Sequence, residues 1–315
     1  MLLACIPALM QELPDGICRN RRTRPLRYKP MDEARNCAVC MSPMPAVHGQ
    51  YWTRCGQCGF LRSSLQPAFE TSGALDESRR SHALEDLRRA SFESVLDRLS
   101  EVSPNRPATL LDVGSAHGWF LQAASRRGYR AVGIEPDAAM AEQSRQAGCD
   151  VMHGYFPQDL PGDLRFDVIT FNDVFEHLPD PRAAAAGCFE RLNPGGMLAI
   201  TLPSSQGALF RIARLLDAVG VHGPFDRMWQ RGFPSPHLSY FHPEGLARML
   251  ADAGFDQVYA GHLPSFTRDG LWQRLRFDRQ TSWLGSVVMF APLYLLAGVF
   301  SLLPADISVQ VFRRR

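Results

Sequence analysis

In the middle of the chain, continuous apolar runs alternate with segments whose apolar residues recur at helical spacing. Four runs have the continuity expected of buried parallel strands, at residues 109–113, 130–134, 167–171 and 197–202. Segments with apolar residues at helical spacing separate them, for example at 137–147 and 181–192. This alternation predicts an α/β fold in which helices cover a mostly parallel sheet.

Flanking segments extend the pattern at both ends. Residues 76–100 carry apolar side chains at helical spacing, which predicts a helix that covers the sheet before its first strand. Residues 243–253 predict another helix, and 255–262 predict the strand that follows it. Apolar residues that alternate with polar ones predict a last strand at 307–312.

The first apolar run leads into a turn that contains glycine. Asp112 precedes this turn, Gly114 and Gly118 allow the backbone to approach a ligand, and Ser115 lies between them. Glu135 ends the second run, and an acid at that position accepts hydrogen bonds from ribose hydroxyls. These residues predict a nucleoside-cofactor site at the carboxyl ends of parallel strands.

The turn differs from the turn that binds dinucleotides. The dinucleotide fingerprint needs three glycines so that a pyrophosphate can sit on the helix N-terminus. Here only Gly114 and Gly118 are present, and Asp112 would repel a pyrophosphate. An acid suits a ligand with an ammonium group, so we expect S-adenosylmethionine, which has an amine, a sulfonium and a ribose but no phosphate.

Five blocks of sequence resemble the class I S-adenosylmethionine-dependent methyltransferases, over roughly residues 76–265 and again at 307–313. They read LLDVGSAHGWF, GIEP, FDVITFNDVFEHLPDP, RLNPGGMLAITLPS and HLSYFHPEGLARMLADAGF. Their order and spacing follow the family. The resemblance implies a Rossmann-like sheet of seven strands in the order 3-2-1-4-5-7-6, with strand seven antiparallel.

The same resemblance implies roles for individual residues. Asn172 and Asp173 would line the cofactor cleft, and His177 would face the acceptor. A proton must leave a hydroxyl acceptor during methyl transfer, and an imidazole can take it. Tyr155 and Phe156 follow a short strand predicted at 150–153, where they would flank the adenine, although core packing is an equal alternative.

Two alternatives to a catalytic His177 remain open. In the first, Glu176 and His177 only cap and brace the following loop. In the second, Asp173, Glu176 and His177 offer metal ligands within about one helical turn, and His237 or His242 completes the set. This second arrangement is similar to that of metal-assisted RNA 2′-hydroxyl methyltransferases, which carry Glu-x-x-Glu-His, although the first acid differs here.

Two CxxC pairs lie near the N-terminus. The cysteines are Cys37, Cys40, Cys55 and Cys58, and 14 residues separate the two pairs. This spacing predicts a zinc ribbon over residues 36–63, with two disulfides as the alternative. Because thiolates would fill all four positions, the zinc would be structural rather than catalytic.

Two insertions interrupt the second half of the domain. Residues 205–241 contain an amphipathic helix, with apolar positions at Leu209, Ile212, Leu215, Leu216 and Val219. We expect this insertion to form a lid over the acceptor. The second insertion, 263–306, contains the uncharged stretch 283–303. Since the last strand must return to the sheet, we expect this stretch to dip into a membrane as a hairpin; a buried helical pair or a dimer interface is the alternative.

Composition adds little to this picture. A net charge of +2 over 315 residues does not indicate a polyanionic partner, so bulk electrostatics do not predict nucleic-acid binding. Residues 1–35 are expected to be basic and disordered, with Met31 as an alternative start. The methyltransferase-like domain would then span 76–315.

These features predict a cytoplasmic S-adenosylmethionine-dependent methyltransferase, peripheral on the inner face of the membrane. Our first hypothesis for its acceptor is a sugar or a lipid-linked glycan intermediate, methylated at oxygen. Zinc-ribbon-bearing members of the resembled family include sugar methyltransferases, and a membrane-dipping segment fits an acceptor attached to lipid. The alternatives are an RNA methyltransferase that captures its substrate through the ribbon, and an O-methyltransferase for a small, quinone-like molecule.

Overall fold

The computed structural model describes residues 36–46, 50–67, 77–103, 108–263, 290, 294 and 303–315. A seven-stranded sheet forms the centre of this part of the chain. Its strands are β3 (Thr109–Val113), β4 (Arg130–Glu135), β5 (Val151–His153), β6 (Phe166–Asn172), β7 (Leu192–Pro203), β9 (Phe255–Leu263) and β10 (Ile307–Arg314). They lie in the order β5-β4-β3-β6-β7-β10-β9, and β10 is antiparallel to both of its neighbours. The predicted fold class and strand order are confirmed.

Helices cover both faces of this sheet. They are α1 (Glu77–Val102), α2 (Trp119–Arg126), α3 (Ala138–Gln146), α4 (Pro181–Arg191), α5 (Ala208–Ala218), α6 (Gly223–Met228) and α7 (Pro243–Asp252). Successive strand residues point to opposite faces, so Leu110 joins the core on one side and Leu111 the core on the other. Burial on both faces explains why the strands are almost continuously apolar.

The helix boundaries follow local capping signals. The Asp137 side chain accepts hydrogen bonds from the first turn of α3, and Asp180 does the same for α4. Proline stands in the first turn of α4 and of α7, where its missing N–H removes no helical hydrogen bond. The sequence therefore marks where these helices begin.

The cysteine-rich segment joins a second, smaller sheet. Strands β1 (Trp52–Arg54) and β2 (Leu61–Ser63) form an antiparallel pair, and β2 also pairs with β8 (Ser239–Tyr240). Strand β8 belongs to the insertion between β7 and α7. The cysteine-rich segment thus shares a sheet with the segment that the sequence predicted as a lid.

Helix α5 buries a different face from the one that the sequence predicted. Ile212, Leu215 and Val219 are 44%, 70% and 75% exposed. The buried side chains are instead Phe210 and Ala213, and the Phe210 ring lies 4.4 Å from the Tyr240 ring. The aromatic cluster around Phe210 selects the buried face, and periodicity alone could not show this.

Two predictions fall on residues outside the described part. The basic N-terminus, residues 1–35, is one of them, and the membrane contact through 283–303, apart from residues 290, 294 and 303, is the other. Among the helices that the structure describes, none has both the length and the apolar character needed to cross a membrane.

Candidate active site

The turn between β3 and α2 adopts a conformation that requires glycine at two positions. Gly114 and Gly118 have φ angles of 72° and 73°. A Cβ atom on Gly118 would lie 2.2 Å from the Ser144 hydroxyl, so both the dihedral and the space exclude a side chain. Ala116 has a φ of 44° in the same turn, although it is not glycine. The Ser115 hydroxyl is buried, and it has no hydrogen-bond partner among the described residues.

Asp112 lies directly below this turn and is only 2% exposed. Its Oδ1 atom accepts hydrogen bonds from the Thr170 hydroxyl at 2.7 Å and from the Asn172 amide at 2.9 Å. Burial raises the pKa of Asp112 to about 7. The predicted residues Asp112 and Asn172 are therefore together, and Thr170 is a partner that the sequence analysis missed.

Glu135 ties the end of β4 to the same turn. One carboxylate oxygen accepts the N–H of Ala116, and the other accepts the N–H of Asp137, both at 2.9 Å. Burial raises the pKa of Glu135. Each carboxylate oxygen can accept a second hydrogen bond, so these contacts leave capacity for ribose hydroxyls.

A cavity of about 180 Å³ opens at the carboxyl ends of β6 and β7, and Asn172, the partner of Asp112, is part of its lining. Asn172, Asp173 and Thr201 line it on the sheet side, and Arg88 and Ser91 line it from α1. Burial raises the pKa of Asp173, although the Arg88 guanidinium opposes that rise. The sequence analysis did not single out Arg88, because α1 contains several arginines and periodicity does not show which of them faces the cavity. The packed fold shows this.

A buried carboxylate lies close to two imidazoles just beyond Asp173. We call Glu176, His177 and His237 the Glu176 cluster. The Nε2 atoms of His177 and His237 each lie 3.9 Å from Oε1 of Glu176. Glu176 is 1% exposed, and burial raises its pKa well above the usual range.

Three of the metal ligands that the sequence analysis considered lie together in this cluster. The ligand atoms of Glu176, His177 and His237 lie within 4.8 Å of one another. His242 is committed elsewhere, because its Nε2 donates to the Cys58 carbonyl and its Nδ1 accepts the N–H of Gly245. Asp173 lines the cavity and is not in this group of three.

The aromatic residues after β5 separate in the structure. Phe156 packs edge-on against Phe171 in the core, with ring centroids 5.6 Å apart. Tyr155 is 38% exposed. The two rings therefore do not enclose one base between them, and Tyr155 alone stays a candidate for an adenine contact.

The four predicted zinc ligands come together. The Sγ atoms of Cys37, Cys40, Cys55 and Cys58 lie within 4.8 Å of one another, and the four cysteines form no disulfide. The Cys37–Cys58 and Cys40–Cys55 sulfur distances are 3.4 and 3.6 Å. Sulfurs around a tetrahedral zinc, each at about 2.3 Å, lie roughly 3.8 Å apart, so this geometry fits the ion.

The domain belongs to a known family. Residues 84–260, more than half of the chain, match the family model described as a methyltransferase domain. The chain therefore belongs to this family, and the matched region is an S-adenosylmethionine-dependent methyltransferase domain.

Two curated relatives share a printed name. The ubiquinone biosynthesis O-methyltransferase of Methylococcus capsulatus is 30% identical over 154 residues, which are 46% of this chain and 62% of that protein. The protein of the same name from Xylella fastidiosa is 30% identical over 180 residues, which are 55% of this chain and 68% of that protein. The chain thus spans less than two thirds of the first relative.

A solved structure supports the fold. The magnesium protoporphyrin IX methyltransferase of Synechocystis PCC 6803, crystallised with bound SAH, superposes with a TM-score of 0.52 at 12% identity. The superposition covers 78% of this chain and 96% of that one. Identity this low shows that the two chains share a fold, and it shows no more than that.

Proposed function

We propose that this protein is an O-methyltransferase that transfers the methyl group of S-adenosylmethionine to a hydroxyl of a small, quinone-like ring compound. The family match supports the reaction type, and the observation that carries the site is the cavity that Asn172, Asp173 and Arg88 line. The two curated relatives named for ubiquinone biosynthesis support the acceptor class.

The residues around the turn fit the cofactor. Glu135 would accept hydrogen bonds from the ribose hydroxyls, and Asp112 would complement the ammonium group. Gly114, Ser115 and Gly118 would follow the methionine part, where the unpartnered Ser115 hydroxyl supplies a polar contact. Asn172 would border the cofactor beside the cavity.

Two further groups complete the proposed cofactor site. Tyr155, which stands exposed after β5, would contact the adenine. Arg88 is a cation on the cavity wall, and it would pair with the cofactor's carboxylate. This second contact would give a role to a basic side chain that lines the same cavity as Asp173.

Methyl transfer to oxygen needs a base beside the acceptor. S-adenosylmethionine supplies an activated methyl, whose bond to sulfur breaks as the bond to the acceptor oxygen forms. Asp173 lies in the cavity and would take the hydroxyl proton. His177 lies in the Glu176 cluster and is not among the described residues that line the cavity, so we assign the proton to Asp173 first.

The relatives favour one of the three acceptors that the sequence left open. Both carry the name of a quinone-pathway O-methyltransferase, which agrees with the small-molecule alternative rather than with the sugar or glycan hypothesis. An apolar ring compound would also suit a membrane-facing enzyme. The peripheral location through 283–303 stays a prediction.

The cysteine cluster has a structural role in this proposal. Cys37, Cys40, Cys55 and Cys58 would hold one Zn²⁺ with no open coordination position, so the ion takes no part in the reaction. Its function would be to fix the two turns that carry the cysteines, and with them the pairing of β2 with β8.

The test is a methyl-transfer assay with purified protein and radiolabelled S-adenosylmethionine. The acceptor panel would contain catechols and hydroquinones with and without an isoprenoid tail, nucleotide sugars, and total RNA. We expect label in the ring compounds. Label only in sugars or RNA would overturn the acceptor assignment.

A matched variant tests the cofactor site. Glu135→Ala should weaken S-adenosylmethionine binding at least tenfold while the fold is retained, because two ribose hydrogen bonds are lost. Asp163→Ala is the control, since that exposed acid lies in the loop between β5 and β6. Equal affinity in both variants would show that the pocket is elsewhere.

A further inference from the structure

The Glu176 cluster holds a buried carboxylate that accepts no hydrogen bond from the described residues. Both oxygens of Glu176 are buried, and neither has a hydrogen-bond partner among the described residues. A buried carboxylate without such partners is strongly disfavoured unless a proton or a cation lies beside it. The surroundings of this carboxylate should therefore show which of the two it receives.

The histidine tautomers show what faces the carboxylate. The Nδ1 atom of His177 lies 2.8 Å from the Pro236 carbonyl, which can only accept, so Nδ1 carries the proton. When the ring is neutral, its Nε2 atom presents a lone pair, and it is this atom that lies 3.9 Å from Glu176 Oε1. A backbone carbonyl that fixes the tautomer in this way is typical of histidines that bind metals.

The tautomer of His237 follows from its hydrogen-bond partners in the same way. The Tyr240 hydroxyl donates to the Met228 carbonyl at 2.7 Å, so its oxygen accepts the Nδ1 proton of His237 at 3.2 Å. The Nε2 atom again carries a lone pair and lies 3.9 Å from Glu176 Oε1. The Gln230 amide donates a hydrogen bond to that lone pair at 2.9 Å, at the position that a cation would take.

We propose that Glu176, His177 and His237 bind one divalent transition-metal cation. Two imidazole nitrogens and a carboxylate are a ligand set that holds Zn²⁺ or Fe²⁺ and leaves coordination positions open. Ligands at about 2.1 Å from a tetrahedral ion lie roughly 3.4 Å apart, so each of the two histidine–Glu176 distances would shorten by about half an ångström on binding. The Gln230 amide would move away from His237 Nε2 when the ion binds.

The backbone fixes this geometry from two separate segments. Glu176 and His177 lie in a short 3₁₀ helix, Phe175–His177, directly after β6. His237 arrives from the insertion, and the next residue, Leu238, donates its N–H to the Glu176 carbonyl at 2.8 Å. The three ligands are therefore positioned on backbone that is hydrogen-bonded together before any ion binds.

The site has a consequence that rests on the proposed function. Asp173 precedes Glu176 by three residues and lines the cavity. A cation in the cluster would place positive charge near Asp173 and favour the carboxylate form, which can take the hydroxyl proton. The presence of the metal site itself does not depend on that activity.

The experiment uses Mn²⁺, because thiolates bind this harder ion weakly and the cysteine cluster therefore does not interfere. Free Mn²⁺ is followed by electron paramagnetic resonance while full-length protein is titrated. We expect one Mn²⁺ per chain in the wild type. Glu176→Gln and His237→Gln should each weaken binding at least tenfold, and the exposed His262→Gln should bind like the wild type.

A second measurement separates loss of the site from loss of the fold. Without added metal, Glu176→Gln should melt no lower than the wild type, because it removes a buried charge and keeps the shape of the side chain. Added Mn²⁺ should raise the melting temperature of the wild type only. Wild-type protein that binds no Mn²⁺, or equal binding by Glu176→Gln, would overturn the proposal whether or not methyl transfer is observed.

Discussion

At the scale of single residues, two aspartates on neighbouring strands have opposite electrostatic environments. Asp112 is almost fully buried, and burial raises its pKa to about 7. Burial also acts on Asp167, but hydrogen bonds from Thr109 and Asn193 outweigh it and hold its pKa below the ordinary value. The two acids should therefore affect stability in opposite directions.

Asp112→Asn should stabilise the cofactor-free protein above pH 7. Between about pH 4 and pH 7 the unfolded chain loses the Asp112 proton while the folded chain keeps it, so wild-type stability falls as pH rises through this window. The loss is on the order of 4 kcal/mol for a shift of this size, and the amide avoids it. Urea unfolding at pH 5 and pH 8 measures the difference.

Asp167→Asn is the matched control and should show the reverse sign. Its carboxylate has a lowered folded pKa, so it stabilises the fold above the unfolded pKa near 4, and this contribution is lost as pH falls through the folded pKa. The variant should be less stable than the wild type at pH 7 and nearly equal at low pH. The same response in both variants would contradict the assigned environments.

Asp173→Asn should reduce kcat about 10²- to 10⁴-fold, since it removes the proposed proton acceptor. The affinity for S-adenosylmethionine should change little, because Glu135 and the glycine turn carry that contact. Single-turnover rates and equilibrium binding separate the two effects. A kcat within tenfold of the wild type would exclude Asp173 as the base.

At the scale of elements, the turn between β3 and α2 depends on Gly118 for two reasons. Its φ is positive, and a Cβ would collide with Ser144. Gly128, in the turn that leads into β4, has a φ of 86°, but no described residue lies within 4 Å of the position that a Cβ would take. A comparison of alanine variants at Gly118 and Gly128 therefore separates the cost of the left-handed backbone from the cost of the steric clash.

Gly118→Ala should therefore cost more stability than Gly128→Ala. The left-handed dihedral alone costs about 1–2 kcal/mol in each variant, and the collision adds to this cost only at Gly118. Chemical unfolding measures the difference, and binding measurements should show weakened S-adenosylmethionine affinity only in Gly118→Ala. Equal losses would mean that the Ser144 side chain moves away without cost.

At the scale of the whole molecule, the cysteine-rich segment supports one wall of the Glu176 cluster. Ser63 of β2 donates its N–H to the Leu238 carbonyl and its hydroxyl to the His237 carbonyl. The Arg182 side chain donates to the carbonyls of Ala38 and Val39. The position of His237 therefore depends on the cysteine turns.

Cys58→Ser should lower kcat more than it lowers cofactor affinity. Loss of one thiolate weakens the proposed zinc site and loosens β2 against β8, while the glycine turn follows β3 in the other, seven-stranded sheet. Zinc content, kcat and the Kd for S-adenosylmethionine would be measured together. Loss of cofactor binding in proportion to kcat would instead indicate general unfolding.

Most of the fold was predictable because each signal is local. Apolar runs define strands, capping residues such as Asp137 and Asp180 start helices, and the order of the strands follows from the family resemblance. The buried face of α5 was not predictable in this way. Its apolar positions fit two faces, and the Phe225, Trp229 and Tyr240 rings that select one of them come from later in the chain.

The sequence by itself determined the fold class, the glycine turn with Glu135, and the four cysteines. Each of these depends on spacing within a short segment, where covalent geometry limits what the residues can do. Only the tertiary structure decided that Arg88 faces the cavity, that Thr170 braces Asp112, and that His237 rather than His242 joins Glu176. Those contacts join residues more than 50 positions apart, and their geometry is set by the packing of whole elements rather than by local preference.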